Sequence, residues 1–225
     1  MAYIEIQGRK IEGVIFDLDG TLVDSIADIG DSMNRVMLHM NFPTHTYADY
    51  RYFVGKGLRE LIINAVPEAH RQDHIIDECY RLMNKDYGNN YINKTKVYDG
   101  IESLVSRLKE KDIKLAVLSN KLEEMTRKVV VELLEESTFE MVMGLNQEIP
   151  RKPDPQGALF ISRQWKIKPE NIAYVGDTST DMQTAKNAGM IAIGALWGFR
   201  TKEELVEHGA DILLKHPLDL LKNSH

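Results

Sequence analysis

The sequence predicts an α/β protein, a doubly wound, mainly parallel sheet core with an inserted α-helical block after its first strand. Three patterns carry that expectation. Helical stretches alternate with short apolar runs from about Lys96 onward, which implies parallel strands joined by crossover helices. Several of those runs end in polar, chemistry-bearing residues. Residues 25–91, by contrast, are helical in pattern and poor in strands. At 225 residues the chain is long enough for a real core, as one large domain or two small ones.

The first strand is expected at Val14-Ile15-Phe16, a β-branched and aromatic run that breaks at Asp17-Leu18-Asp19-Gly20-Thr21. Strand side chains alternate faces, so Asp17 and Asp19 project to one side and Leu18 to the other. Two carboxylates aimed together repel and are costly to bury. A divalent cation, a shared proton or catalytic work would offset that cost, whereas an Asp-rich turn capping the next helix is the bland account. Ile26, Ile29, Met33, Val36, Met37 and Met40 then fall at three- and four-residue steps, predicting an amphipathic helix ended near Pro43. Shorter helical stretches are expected at 58–65 and 70–85, with Cys79 in line with Ile75, Ile76, Leu82 and Met83 as core packing. Further strands are expected at 114–118, 139–143, 172–175, 191–193 and 212–213. There is no internal repeat or low-complexity segment.

Leu115-Ala116-Val117-Leu118 runs into Ser119-Asn120-Lys121, and Ile172-Ala173-Tyr174-Val175 runs into Gly176-Asp177, with Asp181 four residues on. Between them, Arg151-Lys152-Pro153-Asp154-Pro155 presents Lys152 from a loop stiffened by two prolines. Ligands of open parallel sheets bind outside the carboxyl ends of the strands, so Asp17, Ser119 and Asp177 would face one crevice.

In this order and spacing the four segments resemble the motifs of the haloacid dehalogenase (HAD) superfamily of phosphatases. The subgroup most resembled is the phosphoglycolate phosphatase-like one, on Asp17-Leu18-Asp19-Gly20-Thr21-Leu22-Val23-Asp24-Ser25, and the likeness runs from about Val14 to Asp211. It implies a Rossmann-like core of residues 1–23 and 93–225 and a helical cap of residues 24–92. It implies an enzyme that hydrolyses a small phosphorylated metabolite, phosphoglycolate first, through an aspartyl-phosphate. Asp17 would be the nucleophile. Asp19 would be the general acid and later the base, which calls for a raised pKa. A phosphate dianion among Asp17, Asp19, Asp177 and Asp181, offset in the motifs by Lys152, calls for Mg²⁺. By resemblance its ligands are the Asp17 and Asp177 carboxylates and the Asp19 carbonyl, with Asp181 orienting them from behind. A capped helix start is the other reading of residues 176–181, and both can hold.

Thr21, Ser119 and Asn120 are expected to bind substrate, the last two holding phosphate oxygens near a helix N-terminus. Asn120 with Glu123 also fits a capping box. Lys152 would neutralise charge on the nucleophile and the transferring phosphoryl group, or else be a solvated loop lysine. In the cap, Val54-Gly55-Lys56-Gly57-Leu58-Arg59 offers Lys56 and Arg59 to the non-phosphate end of a substrate, such as a carboxylate; a solvated helix start accounts for them equally. Trp197-Gly198-Phe199-Arg200 also resembles the subgroup and is expected to pack beside the site.

Pyrophosphatase and phosphosugar mutase activities are alternatives on the same fold, and mutase relatives usually carry valine where this chain has Thr21. Dehalogenase relatives lack the aspartate that Asp19 supplies. Phosphonate hydrolysis would need a Schiff-base lysine, for which Lys56 is the candidate. A non-catalytic binding module is the non-enzyme alternative, and the filled motif positions speak against it. A net charge of −6 and the lack of a dense basic run argue against general nucleic-acid binding. No apolar stretch approaches membrane-spanning length and the N-terminus lacks a basic-then-apolar signal pattern. The lone Cys79 allows no internal disulfide, so the expectation is a cytoplasmic enzyme, monomer or homodimer.

Overall fold

The computed structural model describes residues 3–222. The chain opens with an antiparallel hairpin, β1 (Ile4–Ile6) and β2 (Arg9–Ile11), turning at Gln7-Gly8, where both residues have positive φ. Such a two-residue turn matches the twist of the strands it joins. After β3 (Gly13–Phe16) comes β4 (Val23–Asp24), then four helices: α1 (Ile26–His39), α2 (Tyr47–Phe53), α3 (Leu58–Ala65) and α4 (Asp73–Asn90). The return strand β5 (Lys96–Val97) pairs antiparallel with β4, so the helical stretch leaves and re-enters through one narrow ribbon. The buried Asp28 carboxylate in α1 fastens that return by accepting from the Lys94 and Thr95 N–H groups and the Thr95 hydroxyl.

The rest alternates: α5 (Ile101–Glu110), β6 (Lys114–Leu122), α6 (Glu123–Leu133), β7 (Met141–Leu145), α7 (Gln156–Trp165), β8 (Ile172–Gly176), α8 (Ser179–Ala188), β9 (Ile191–Ala195), α9 (Lys202–Glu207), β10 (Ile212–Leu214) and α10 (Asp219–Lys222). The central sheet has the order β10-β9-β8-β3-β6-β7 and every pairing in it is parallel. Helices cover both faces, which is why β3, β8 and β9 read as continuous apolar runs, buried at every position. Alternation splits their side chains between two cores: Val14, Phe16 and Val175 on one face, Ile15, Tyr174 and Ala192 on the other. A third apolar cluster, built on Met33, Met37, Ile62 and Ile76, lies among α1–α4.

The predicted α/β class and parallel sheet are what the chain adopts. The hairpin at 4–11, the β4–β5 ribbon and helix α2 were not expected; α2 is announced by a capping box from Thr46 to Asp49. Helix α4 starts three residues later than expected and runs on to Asn90. Strand β6 runs past Leu118 to Leu122 through an irregular register, carrying Ser119, Asn120 and Lys121 on the strand end. Among the described residues no helix is long and apolar enough to cross a membrane. From β3 the chain fills one side of the sheet with β6 and β7, then returns to fill the other with β8, β9 and β10. The direction reverses between β3 and β8, and a crevice opens there beyond the strand ends.

Candidate active site

Asp17 follows β3 and Asp177 follows β8, so the two carboxylates flank the switch point. The Asp17 N–H donates to the Val175 carbonyl at 2.9 Å, carrying the ladder one residue past the strand. Asp181 sits in the first turn of α8, where one oxygen accepts from the Thr178 N–H and hydroxyl at 3.1 and 2.6 Å. The capped helix start and the acidic site are therefore the same structure. Carboxylate oxygens of Asp17, Asp177 and Asp181 lie within 4.8 Å of one another, all three residues buried.

Lys152 answers part of that charge. Its ammonium donates to Asp17 Oδ1 and Asp181 Oδ1, both at 2.8 Å, and to the Leu118 carbonyl at 3.0 Å, with only 4% of the side chain exposed. It is no solvated loop lysine. Burial alone would lower the Lys152 pKa, but Asp17 and Asp181 more than reverse that and hold it well above the usual lysine value. Three ionised carboxylates against one ammonium would leave two negative charges in a buried space. Burial accordingly pushes the Asp17 carboxyl up to about 7 despite Lys152, and Asp181 adds to the rise. Asp177 is raised well above the carboxylate range, by burial first and then by Asp181 and Asp17. An all-oxygen donor set with two uncompensated negative charges fits a divalent cation.

The remaining contacts fix Asp177. Thr21 Oγ1 donates to Asp177 Oδ1 at 3.0 Å and the Phe199 N–H to Oδ2 at 2.8 Å. Thr21, expected to meet substrate, donates its hydroxyl to this carboxylate. A Cβ on Gly20, where φ is +88°, or on Gly198 would collide with Asp177, so both positions require the missing side chain. The segment 197–200 surrounds the site: Trp197 Nε1 donates to the Thr21 carbonyl at 2.9 Å, Phe199 joins the apolar cluster of α1–α4, and Arg200 donates to the Val54 carbonyl at 2.9 Å.

Ser119 Oγ accepts from the Lys121 N–H at 3.2 Å. The Asn120 side chain does not cap α6, whose N-cap position is Leu122. It donates to the Gly55 carbonyl at 2.9 Å and to the Lys152 carbonyl at 3.1 Å, and accepts from the Lys152 N–H at 2.9 Å. Asn120 thus ties the lysine loop to the segment leading into α3.

A cavity of about 80 Å³ opens at Asp17 and Asp19, lined by Ser119 and Asn120 at the end of β6, by Val54, Gly55 and Gly57 ahead of α3, and by side chains of α1, α3 and α4. Lys56 and Arg59 do not line it. Both are exposed and border a separate surface cleft, and Arg59 is held by Asp73 and Asp77 at 3.0 and 2.6 Å.

The cation that does line the cavity is Lys121, which sequence reasoning passed over. Its ammonium donates to both Asp19 oxygens at 2.9 Å and lies 4.7 Å from the centre of the Tyr87 ring. Ser25 Oγ donates to Asp19 Oδ1 at 2.6 Å. No local signal marks Lys121, because its partner is 102 residues earlier in the chain and its aromatic neighbour lies in α4.

The family model described as haloacid dehalogenase-like hydrolase matches residues 14–195. The chain is 32% identical over 209 residues to a phosphoglycolate phosphatase of Aquifex aeolicus (strain VF5), covering 93% of this chain and 94% of that one. It is 28% identical over 221 residues to a phosphoglycolate phosphatase of Chromobacterium violaceum, covering 96% and 98% of the two chains. A crystal structure described as a predicted phosphoglycolate phosphatase from Haemophilus somnus 129pt superposes with a TM-score of 0.88 at 25% identity, over 94% of this chain and 97% of that one. On sequence, sheet order and site together, the chain belongs to the haloacid dehalogenase-like hydrolases.

Proposed function

We propose that the protein is a Mg²⁺-dependent phosphomonoesterase of a small phosphorylated metabolite, with phosphoglycolate the first candidate, working through an aspartyl-phosphate on Asp17. The observation that carries this reading is the buried cluster of Asp17, Asp177 and Asp181, with one ammonium on Asp17 and Asp181, and with Asp17 and Asp19 lining one pocket. The names of the relatives at 32% and 28% identity support the choice of substrate.

Asp17 and Asp177 carboxylates and the Asp19 carbonyl would hold Mg²⁺, which when bound offsets the charge of the phosphoryl group and its nucleophile. The Asp17 oxygen attacks phosphorus as the bond to the ester oxygen breaks, and the Asp19 carboxyl gives that oxygen its proton. Water then attacks phosphorus while Asp19 takes the water's proton, releasing phosphate and restoring both carboxyl groups. Lys152 keeps its bond to Asp17 Oδ1, which aims the other oxygen at the substrate. Ser119 Oγ accepts from the Lys121 N–H, and its own proton is available to donate to a phosphate oxygen. Asp181, with both oxygens engaged by Lys152 and Thr178, is suited to orienting these groups.

Residues 24–92 would act as the cap that closes on this site and excludes water. Their own apolar cluster and the single β4–β5 ribbon support that role. The buried lone Cys79 is in keeping with a reducing, cytoplasmic setting. The test is a screen with added Mg²⁺ of phosphoglycolate, hexose phosphates, nucleotides, pyrophosphate and p-nitrophenyl phosphate, ranked by kcat/KM. Turnover of small phosphomonoesters that vanishes in Asp17→Asn is expected. Full activity in that folded variant would require another nucleophile.

A further inference from the structure

We propose that Lys121, with the Tyr87 hydroxyl beside it, is the anchor for a second anionic group on the substrate, and that the pocket selects short phosphorylated acids. This deepens the phosphatase reading and rests on it. The cavity above Asp17 and Asp19 has mostly apolar walls, including Ile29, Leu61, Met83 and Met125. Among the described residues Lys121 is the one cationic side chain that lines it. Lys152 lies beneath, its three donors taken by Asp17, Asp181 and Leu118.

An ammonium has three protons. Two of those on Lys121 go to the oxygens of Asp19, and the ammonium also lies against the Tyr87 side chain, 4.7 Å from its ring centre. The Tyr87 hydroxyl, on the cap helix α4, is buried with no hydrogen-bond partner. A buried polar group without a partner is costly to leave so. The hydroxyl and the Lys121 ammonium adjoin one another and border the same cavity. A carboxylate placed against the pair would accept from both, drawing the cap against the core as it binds.

The position also sets the length of the substrate. Asp19, the proton donor to the ester oxygen in the proposed reaction, is bonded directly to Lys121. A carboxylate on Lys121 therefore sits close to that ester oxygen, as when it is joined to the carbon that bears the phosphate. Longer acids would carry their charge past the ammonium, and sugar hydroxyls would meet the apolar walls. Lys56 and Arg59, outside this cavity, are not needed for the acidic end.

The experiment is calorimetric binding, with Mg²⁺ present, of two non-hydrolysable phosphonates: 3-phosphonopropionate, which carries a carboxylate, and propylphosphonate, which does not. The wild-type protein should bind the first about 30-fold more tightly, the worth of one charge-assisted hydrogen-bonded pair. Lys121→Met should reduce that preference to about threefold or less, and Tyr87→Phe should reduce it by several-fold. If Lys121→Met does not fold, Lys121→Arg and Tyr87→Phe decide: preference retained in the first and weakened in the second supports the anchor. Equal affinity of the wild type for the two phosphonates overturns it, as does an unchanged preference in Tyr87→Phe together with Lys121→Met. Hydrolysis of phosphomonoesters without any preference for acidic tails defeats this assignment alone. Failure to bind or hydrolyse either class defeats the phosphatase reading with it.

Discussion

Removing the divalent cation should make this protein lose stability as pH rises, and Asp17 supplies a magnitude. Its carboxyl titrates near 7 in the metal-free fold, against 3.8 as the ordinary value. Between those two values the folded protein holds a proton that the unfolded chain has released. Stability therefore falls with rising pH across that window, by about 1.4 kcal/mol per pH unit from this one group, for a total of about 4 kcal/mol. Asp17→Asn keeps the shape and deletes the titration. Thermal unfolding in chelator should then show the variant gaining on the wild type between pH 5 and pH 8, by about 3 kcal/mol, or about 6–12 °C for a chain of this size. Taking the difference between the two proteins cancels histidines and carboxylates remote from the site, while Asp177, which the Asp17 charge helps to raise, titrates lower in the variant and so adds to the variant's gain. Saturating Mg²⁺ at pH 8 should stabilise the wild type more than the variant. A wild-type-minus-variant difference that is flat across that range, or of opposite sign, would refute the claim that Asp17 is buried with uncompensated charge.

Three substitutions probe the framework around it. Asn120→Ala removes three hydrogen bonds, to Gly55 and to both backbone groups of Lys152, and should cost about 2–4 kcal/mol, lowering Tm by about 8 °C. Its kcat should fall as well, because the lysine loop loses its tie to the strand end. Thr21→Val deletes the hydroxyl that holds Asp177 Oδ1 at nearly constant volume, and calorimetry should show Mg²⁺ affinity weakened about tenfold or more with the fold intact. Gly198→Ala forces a methyl into Asp177 and the Gly20 carbonyl, and urea unfolding should report a loss of about 1–3 kcal/mol, with activity falling further than stability.

The parts of this molecule that were legible in its sequence are those whose causes are local. An apolar run ended by carboxylates says strand and site at once, and Val14–Phe16 before Asp17 and 172–175 before Asp177 are both such runs. The long helix α1 declares itself by the spacing of Ile26, Met33 and Met37, all now buried. The hairpin at 4–11 left a usable signal that went unread, with Ile4 and Ile6 buried, Glu5 exposed between them, and Gly8 at the turn. The β4–β5 ribbon left almost none, since two residues on each strand are too few for any periodicity. Lys121 was illegible for another reason. A lysine three residues beyond a strand looks solvated until the fold brings Asp19 and Tyr87 around it. Lys56 and Arg59 show the converse, conspicuous beside a glycine pair in the chain yet facing a different cleft, with Arg59 committed to α4. Arg200 is similar in part: beside its local pair with Glu204 it donates to the carbonyls of Tyr52 and Val54 in a distant part of the chain.

The account stands most directly on what a phosphoryl mimic does at Asp17. A crystal structure with beryllium fluoride and Mg²⁺ should show beryllium bonded to the Asp17 oxygen that Lys152 leaves free, with the cation against Asp177. Beryllium fluoride bound elsewhere, beside an Asp17 still paired only with Lys152, would contradict it.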